Sequence, residues 1–226
     1  MDRAEEYRRQ VQKSICFIRQ DVSYFTEVKA RRLLSLVGAF LGDTTPLRAL
    51  DVGCGVGLTD QFLTGSFGEL HGVDVDESAL TSAAETNPNA HYRLYDGRAL
   101  PYSDCAFDLV FAINVLHHVP PSSWQCFAQE MRRVNKIDGI TVVFEHNPIN
   151  PLTRLAVSRC EFDGDATLVG RRRLGQLLTQ AGLTVVDSSY ILFSPFRSGL
   201  MSKLESRLGW LPLGAQHYAA GRKDGE

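Results

Sequence analysis

The chain lacks the features that mark several whole classes of protein. None of its five cysteines (Cys16, Cys54, Cys105, Cys126, Cys160) belongs to a C-x-x-C pair, and their number is odd. That argues against a disulfide framework and against structural zinc, and it fits a reducing cytoplasm, the expected location. The longest apolar stretch, Leu33 to Leu41, falls far short of the ~20 residues a membrane span needs. Met1 to Glu6 carries no apolar leader, so neither a signal peptide nor stable membrane insertion is expected. A surplus of one charge sign is also missing: 24 Lys and Arg against 26 Asp and Glu give a formal net charge of −2. Such a chain has no global field to recruit nucleic acid. The short basic runs at Arg8–Arg9, Arg31–Arg32 and Arg171–Arg173 read as solvated helix faces. There is no internal repeat, no H-x-x-H and no evident clustering of carboxylates, so the expected metal ligands are none and the expected chemistry is metal-independent.

What is present is an ordinary globular composition, 44% hydrophobic and 22% charged over 226 residues, enough for a single α/β domain. Apolar residues at helical spacing (Ile15, Ile18, Val22, Phe25, then Leu33, Leu36, Val37, Phe40) predict two or three helices before any strand. Alternation then sets in. Strands are predicted at Leu47–Val52, Leu70–Val73, Ala90–Leu94, Phe107–Ile113, Ile140–Phe144, Leu183–Val186 and Gln216–Gly221. Helices are predicted from about Leu58, at Ser78–Glu85, along Trp124–Val134, and around Leu174–Ala181. Strands alternating with helices imply a mostly parallel sheet that binds ligands at its strands' carboxyl ends.

The segment most informative about chemistry is Asp51-Val52-Gly53-Cys54-Gly55-Val56-Gly57. Glycines at a strand-to-helix turn let the backbone bend sharply and lie against a ligand, although a plain tight turn has the same look. The spacing is G-x-G-x-G rather than the dinucleotide fingerprint G-x-G-x-x-G. Downstream, Asp74 closes the second strand, where a carboxylate can accept both hydroxyls of a ribose. Asp96-Gly97 ends the third strand, where a carboxylate can take an adenine amino group. Each aspartate alone could be a loop cap; acids at successive strand ends after a glycine loop are harder to dismiss.

With these motifs the chain resembles the class I S-adenosylmethionine-dependent methyltransferases of the small-molecule, type 11-like branch, from about Leu47 to Asn147. The resemblance implies a Rossmann-like, seven-stranded, mostly parallel sheet with helices on both faces. Residues 1–45 would be an N-terminal helical lid with Tyr7, Tyr24 and Phe25 as candidate wall residues. Residues 46–147 would form the cofactor-binding core, and 148–170 and 190–213 would be insertions that shape the acceptor site. The implied cofactor is S-adenosyl-L-methionine. Gly53, Cys54, Gly55 and Gly57 would cradle its methionyl part and Asp51 would orient its ammonium group. Asp74 would hold the ribose, Val75 would pack on adenine, Asp96 and Gly97 would bind the adenine edge, and Asn114 would touch the methionyl end.

The acceptor end is less specific. His117 and His118 follow the fourth strand, and Glu145, His146 and Asn147 close the fifth, so all five are expected at one cleft mouth. A histidine there could deprotonate an acceptor hydroxyl or simply pack beneath the loop, and Glu145 and His146 are the other candidate catalytic groups. The expected activity is methyl transfer to oxygen or nitrogen of a small molecule. A glycan or lipid-linked acceptor, or a cofactor-binding partner without catalysis, is the alternative. The stretch 190–213, with Phe193, Phe196, Trp210 and a Leu200, Met201, Leu204, Leu208 stripe, reads as an acceptor lid, a homodimer face, an interfacial helix or ordinary packing.

Overall fold

A computed structural model of the chain describes residues 3–15, 21–193 and 207–225. Two helices come first, α1 (Arg3–Ser14) and α2 (Val22–Leu41). Asp21 caps α2 by accepting from the Ser23 amide, and Gly42, at φ 81°, ends it. The strands β1 (Arg48–Val52), β2 (Glu69–Asp74), β3 (His91–Leu94), β4 (Phe107–Ile113), β5 (Asn135–His146), β6 (Thr184–Ile191) and β7 (Gln216–Arg222) form one sheet of order β3-β2-β1-β4-β5-β7-β6. The first five run parallel, whereas β7 pairs antiparallel with both β5 and β6. Four more helices, α3 (Glu77–Thr86), α4 (Trp124–Val134), α5 (Pro151–Arg159) and α6 (Arg171–Gln180), complete the architecture. The strand order reverses between β1 and β4, and a ligand crevice opens at such a switch point.

Both faces of the sheet are covered, which is why β4 reads as a continuous apolar run. On one face Trp124, Phe127 and Met131 of α4 and Leu174, Leu177 and Leu178 of α6 pack on Val110, Val143 and Ala219. On the other, Leu33, Leu36 and Val37 of α2 pack on Phe111, Phe144 and Tyr218. Arg32 fastens α2 further: its Nε donates to the Tyr218 hydroxyl at 3.0 Å, which donates to Asp187 at 2.8 Å. The helix expected as a lid is thus bound into the core along its second half.

Three expectations need correction. No α-helix follows the glycine loop; residues 60–62 make only a short 3-10 turn. Glycines at 65 and 68 cut the segment short, and Asp60 turns inward to accept from the Tyr92 hydroxyl at 2.7 Å. Strand β5 starts at Asn135, five residues early, passing a kink at Asp138 (φ 63°) with a register shift against β4. Strand β6 extends to Ile191 because β7 pairs along its whole length.

Candidate active site

One cavity of about 830 Å³ lies at the carboxyl ends of β1, β2, β4 and β5. Asp51, Gly53, Cys54, Gly55, Asp74, Val75, Asp96, Gly97 and Asn114 all line it. Gly57 does not. It sits behind the loop at φ 70°, where a Cβ would meet Asn87 Nδ2 at 2.6 Å and Ala83 Cβ at 3.1 Å, so its role is close packing rather than cradling. Gly55 is the opposite case: a Cβ there would meet no protein atom within 4 Å and would enter the cavity.

The loop is tied to the second strand end. Asp74 Oδ2 accepts from the Gly55 amide at 2.8 Å and Oδ1 from the Asp76 amide at 3.0 Å. Asp96 is held the same way by the amides of Arg98 and Ala99, at 2.8 and 3.0 Å. Val75 is 61% exposed on the cavity lip, a bare apolar surface beside Asp74. Two buried oxygens, Asp51 Oδ1 and Asn114 Oδ1, have no hydrogen-bond partner among the described residues, and Asn114 is held at φ 58°. Unsatisfied buried acceptors at a cavity wall are what a ligand with several donors would complete. The residues present therefore fit a nucleoside with a charged, donor-bearing tail.

Charge is concentrated beneath the glycine loop. Asp51 and Asp60 are both buried and act on one another electrostatically, so two negative charges side by side are disfavoured there. Burial and this neighbour push the Asp51 carboxyl well above the usual carboxylate range, and burial raises Asp60 to about 6. Lys29 of α2 also lines the cavity and is 6% exposed. Burial lowers its ammonium to about 8 even though Glu145 and Asp51 favour the charge. Neither Lys29 nor Asp60 was evident from sequence. A lysine inside an apolar helical stripe signals only a break in the stripe, and Asp60 was masked by the expectation of a helix.

The acceptor end is built by β4, β5 and the 148–170 segment. His117 is buried; its Nδ1 lies 2.7 Å from Glu145 Oε2, while Glu145 Oε1 accepts from the Leu116 amide at 2.8 Å. Its Nε2 and the Nε2 of the more exposed His118 each lie 3.5 Å from Asp163 Oδ1. Burial opposes a charge on His117, but Glu145 and Asp163 outweigh it and hold the imidazole up at about 9. His118 is pushed down by burial and by His117, and His146 falls to about 3 for the same two reasons.

Of the five residues expected at the cleft mouth, His117, His118 and His146 line the cavity. Glu145 lies behind His117, and Asn147 is fully buried elsewhere. Asn147 Nδ2 donates to the carbonyls of Pro212 and Gly214 at 3.0 and 2.7 Å, so it clamps the loop before β7. Phe25 faces the cavity, whereas Tyr24 is buried in the core and the Tyr7 side chain lies outside the described residues. Leu152, Val157 and Phe162 from the first insertion and Leu192 and Phe193 from the second complete the apolar wall. Pro195, Phe196 and the Leu200, Met201, Leu204 stripe lie outside the described residues.

Comparison with known proteins agrees with this geometry. Residues 50–143 match the family model described as a methyltransferase domain. An uncharacterized methyltransferase of Synechocystis is 34% identical over 143 residues, covering 62% of this chain and 68% of that protein. The 2-methyl-6-phytyl-1,4-hydroquinone methyltransferase of the same organism is 33% identical over 111 residues, covering 46% of this chain but 34% of its own length. The chain thus spans about a third of one relative and two thirds of the other. A crystal structure of a possible histamine N-methyltransferase from Thermotoga maritima superposes with a TM-score of 0.66 at 18% identity, covering 98% of this chain and 95% of that one, a likeness of fold. The chain belongs to the class I S-adenosylmethionine-dependent methyltransferases. Its cofactor is S-adenosyl-L-methionine, and no helix among the described residues is long and apolar enough to cross a membrane.

Proposed function

We propose that this chain transfers the sulfonium methyl of S-adenosylmethionine to a hydroxyl of a small, largely apolar molecule. The observation that carries this reading is the single cavity that joins a nucleoside-type cradle to an imidazole and carboxylate cluster behind apolar walls. Asp74 takes the ribose hydroxyls, Val75 covers adenine, and Asp96 with the Gly97 amide reads the adenine edge. The methionyl end is a zwitterion: Lys29 offers it a cation, and Asp51 a carboxyl that ionises as the ammonium arrives beside it. Asn114 supplies a further acceptor there. The N-terminal helices 1–45 and the segments 148–170 and 190–213 shape the acceptor side.

The chemistry is an in-line displacement. The acceptor oxygen's lone pair forms the O–CH3 bond as the C–S bond breaks and its pair returns to sulfur, which leaves S-adenosylhomocysteine. The hydroxyl proton must depart, and this separates oxygen acceptors from amines that are already neutral and carry a free lone pair. Imidazoles and carboxylates lining the cavity suit the first case. Holding the two reactants collinear contributes ~7–11 kcal/mol whatever the acceptor.

The test is calorimetry of S-adenosylhomocysteine binding, paired with turnover on phenolic and alcoholic metabolites. Asp74→Ala removes a charge-assisted pair of hydrogen bonds, so affinity should fall by about 2–3 kcal/mol. Unchanged affinity would refute the cofactor assignment. Methylation of amines but not hydroxyls would refute the acceptor assignment.

A further inference from the structure

We propose that His117, His118 and Asp163 form a binding site for a divalent transition-metal ion of the zinc type, open to the acceptor side of the cavity. The three side chains come from two separate elements, the 3-10 turn after β4 and the one after α5. One ligand atom from each lies within 4.8 Å of the other two. Both imidazole Nε2 atoms lie 3.5 Å from the same Asp163 oxygen. That is long for a hydrogen bond, whose usual upper limit is ~3.2 Å. It is close to the ligand-to-ligand edge of a tetrahedral zinc site, ~3.4 Å for metal bonds of ~2.0–2.1 Å.

A second, independent observation points the same way. Metal-bound histidines commonly donate the other ring N–H to a carboxylate, which fixes the tautomer and aims the free lone pair. His117 Nδ1 meets Glu145 Oε2 at 2.7 Å in this role, and Glu145 is fully buried with its other oxygen held by the Leu116 amide. The arrangement leaves His117 Nε2 directed at the place where His118 and Asp163 converge. Two nitrogens and one carboxylate oxygen suit zinc, cobalt or ferrous iron better than magnesium or calcium, which prefer all-oxygen shells. Three protein ligands leave a coordination position free, the pattern of catalytic rather than structural sites. All three residues line the cavity, so that position faces the acceptor.

No local motif marks these three residues as a site, because Asp163 stands 45 positions from His118, in an insertion with no motif of its own. The inference adds to the proposed hydroxyl methylation a means of activating the hydroxyl, since a cation at this point would polarise an oxygen seated on it. It rests on that reading only for its catalytic purpose, not for binding.

The experiment is titration of the metal-free full chain with Co2+, followed by visible absorption, and with Zn2+, followed by calorimetry. One equivalent should bind, with the absorption of a low-coordinate Co2+ site. His118→Ala and Asp163→Asn should each weaken binding at least ~100-fold, and Glu145→Gln ~10–100-fold. His117→Ala stands inside the core and is not relied upon, because it can fail to fold. Absence of saturable Co2+ binding would overturn the site, as would binding that Asp163→Asn leaves unchanged. S-Adenosylhomocysteine affinity measured on the same metal-free samples separates the two inferences. If it is retained and lost in Asp74→Ala while no Co2+ binds, the metal site alone has failed.

Discussion

Lys29 is the residue whose replacement tests the electrostatics of this site most directly. Its ammonium is buried against the cavity and titrates at about 8, against an ordinary value of 10.5. A difference of roughly 2.5 pH units corresponds to about 3 kcal/mol against the charged form at neutral pH. The sign follows from proton counts. Between pH 8 and 10.5 the unfolded chain holds a proton the folded chain has released, so this group's contribution to stability improves as pH rises through that window. Below pH 8 the penalty is fully present. Lys29→Met keeps the volume and the flexible stem and removes the charge. The value of about 8 already includes the attraction of Glu145 and Asp51, and allowing for incomplete relaxation around the new side chain the expected gain for the ligand-free protein at pH 7 is about 1–3 kcal/mol. In a chain of this size that is an upward Tm shift of roughly 3–10 °C by scanning calorimetry. The gap between variant and parent should close as pH is raised from 8 to 10.5. Binding should move the other way, with S-adenosylhomocysteine affinity reduced as the methionyl carboxylate loses its cation. A Tm that falls at pH 7, or a gap that stays constant to pH 10.5, would show that Lys29 is a satisfied ion-pair partner and would refute the reasoning.

Other substitutions separate neighbouring roles. Gly57→Ala should destabilise the fold by about 2–4 kcal/mol, because φ is 70° and the new methyl meets Asn87 and Ala83; chemical denaturation would read this. Gly55→Val meets no protein atom but is strained by the φ of 53°, so it should cost stability through the backbone alone and abolish cofactor binding as its side chain enters open space; a variant that folds and binds normally would reduce the loop to a turn. Asn147→Ala should expose the 212–215 loop to hydrogen exchange by removing two clamps while leaving cofactor affinity unchanged; a loss of affinity would return Asn147 to the site.

The parallel core was legible because its signals are local. The apolar run of β4 and the Trp124, Phe127, Ala128, Met131, Val134 stripe need no knowledge of distant residues, and the observed β4 and α4 have the expected bounds. The strand-end acids were legible for the same reason, since a βα unit puts its last strand residue at the ligand crevice. What sequence could not show was set by partners far along the chain. The length of β6 depends on pairing with β7, and the retreat of Glu145 behind His117 depends on an ion pair. The missing helix after Gly57 depends on Asp60 finding Tyr92, 32 positions away. Local pattern also over-read polarity: Asn147 is a polar residue at a strand end like His146, yet its donors are spent on backbone carbonyls in the distant loop before β7.

The Asp51 and Asp60 pair makes the last testable link between fold and cofactor. Two mutually repelling buried carboxyls hold a proton that water would remove, and the Tyr92 hydroxyl donates to Asp60 Oδ2. Because folded pKa values lie above unfolded ones, the folded state binds the extra proton, and this pair's contribution to stability falls as pH rises from about 4 to 6 and beyond. The ligand-free protein is therefore poised with a protonated acid facing the place assigned to the methionyl ammonium. A cation arriving beside Asp51 favours the ionised form, so binding should expel that proton. Calorimetry of S-adenosylhomocysteine at pH 7 in two buffers of different ionisation enthalpy should show up to one proton released. Asp60→Asn, which keeps an acceptor for Tyr92, removes the neighbouring carboxylate but not the burial that raises Asp51 most, so it should reduce the buffer dependence while retaining binding. Equal observed enthalpies in both buffers for the parent protein would mean that Asp51 does not meet the ammonium, and the methionyl end would have to be placed elsewhere in the cavity.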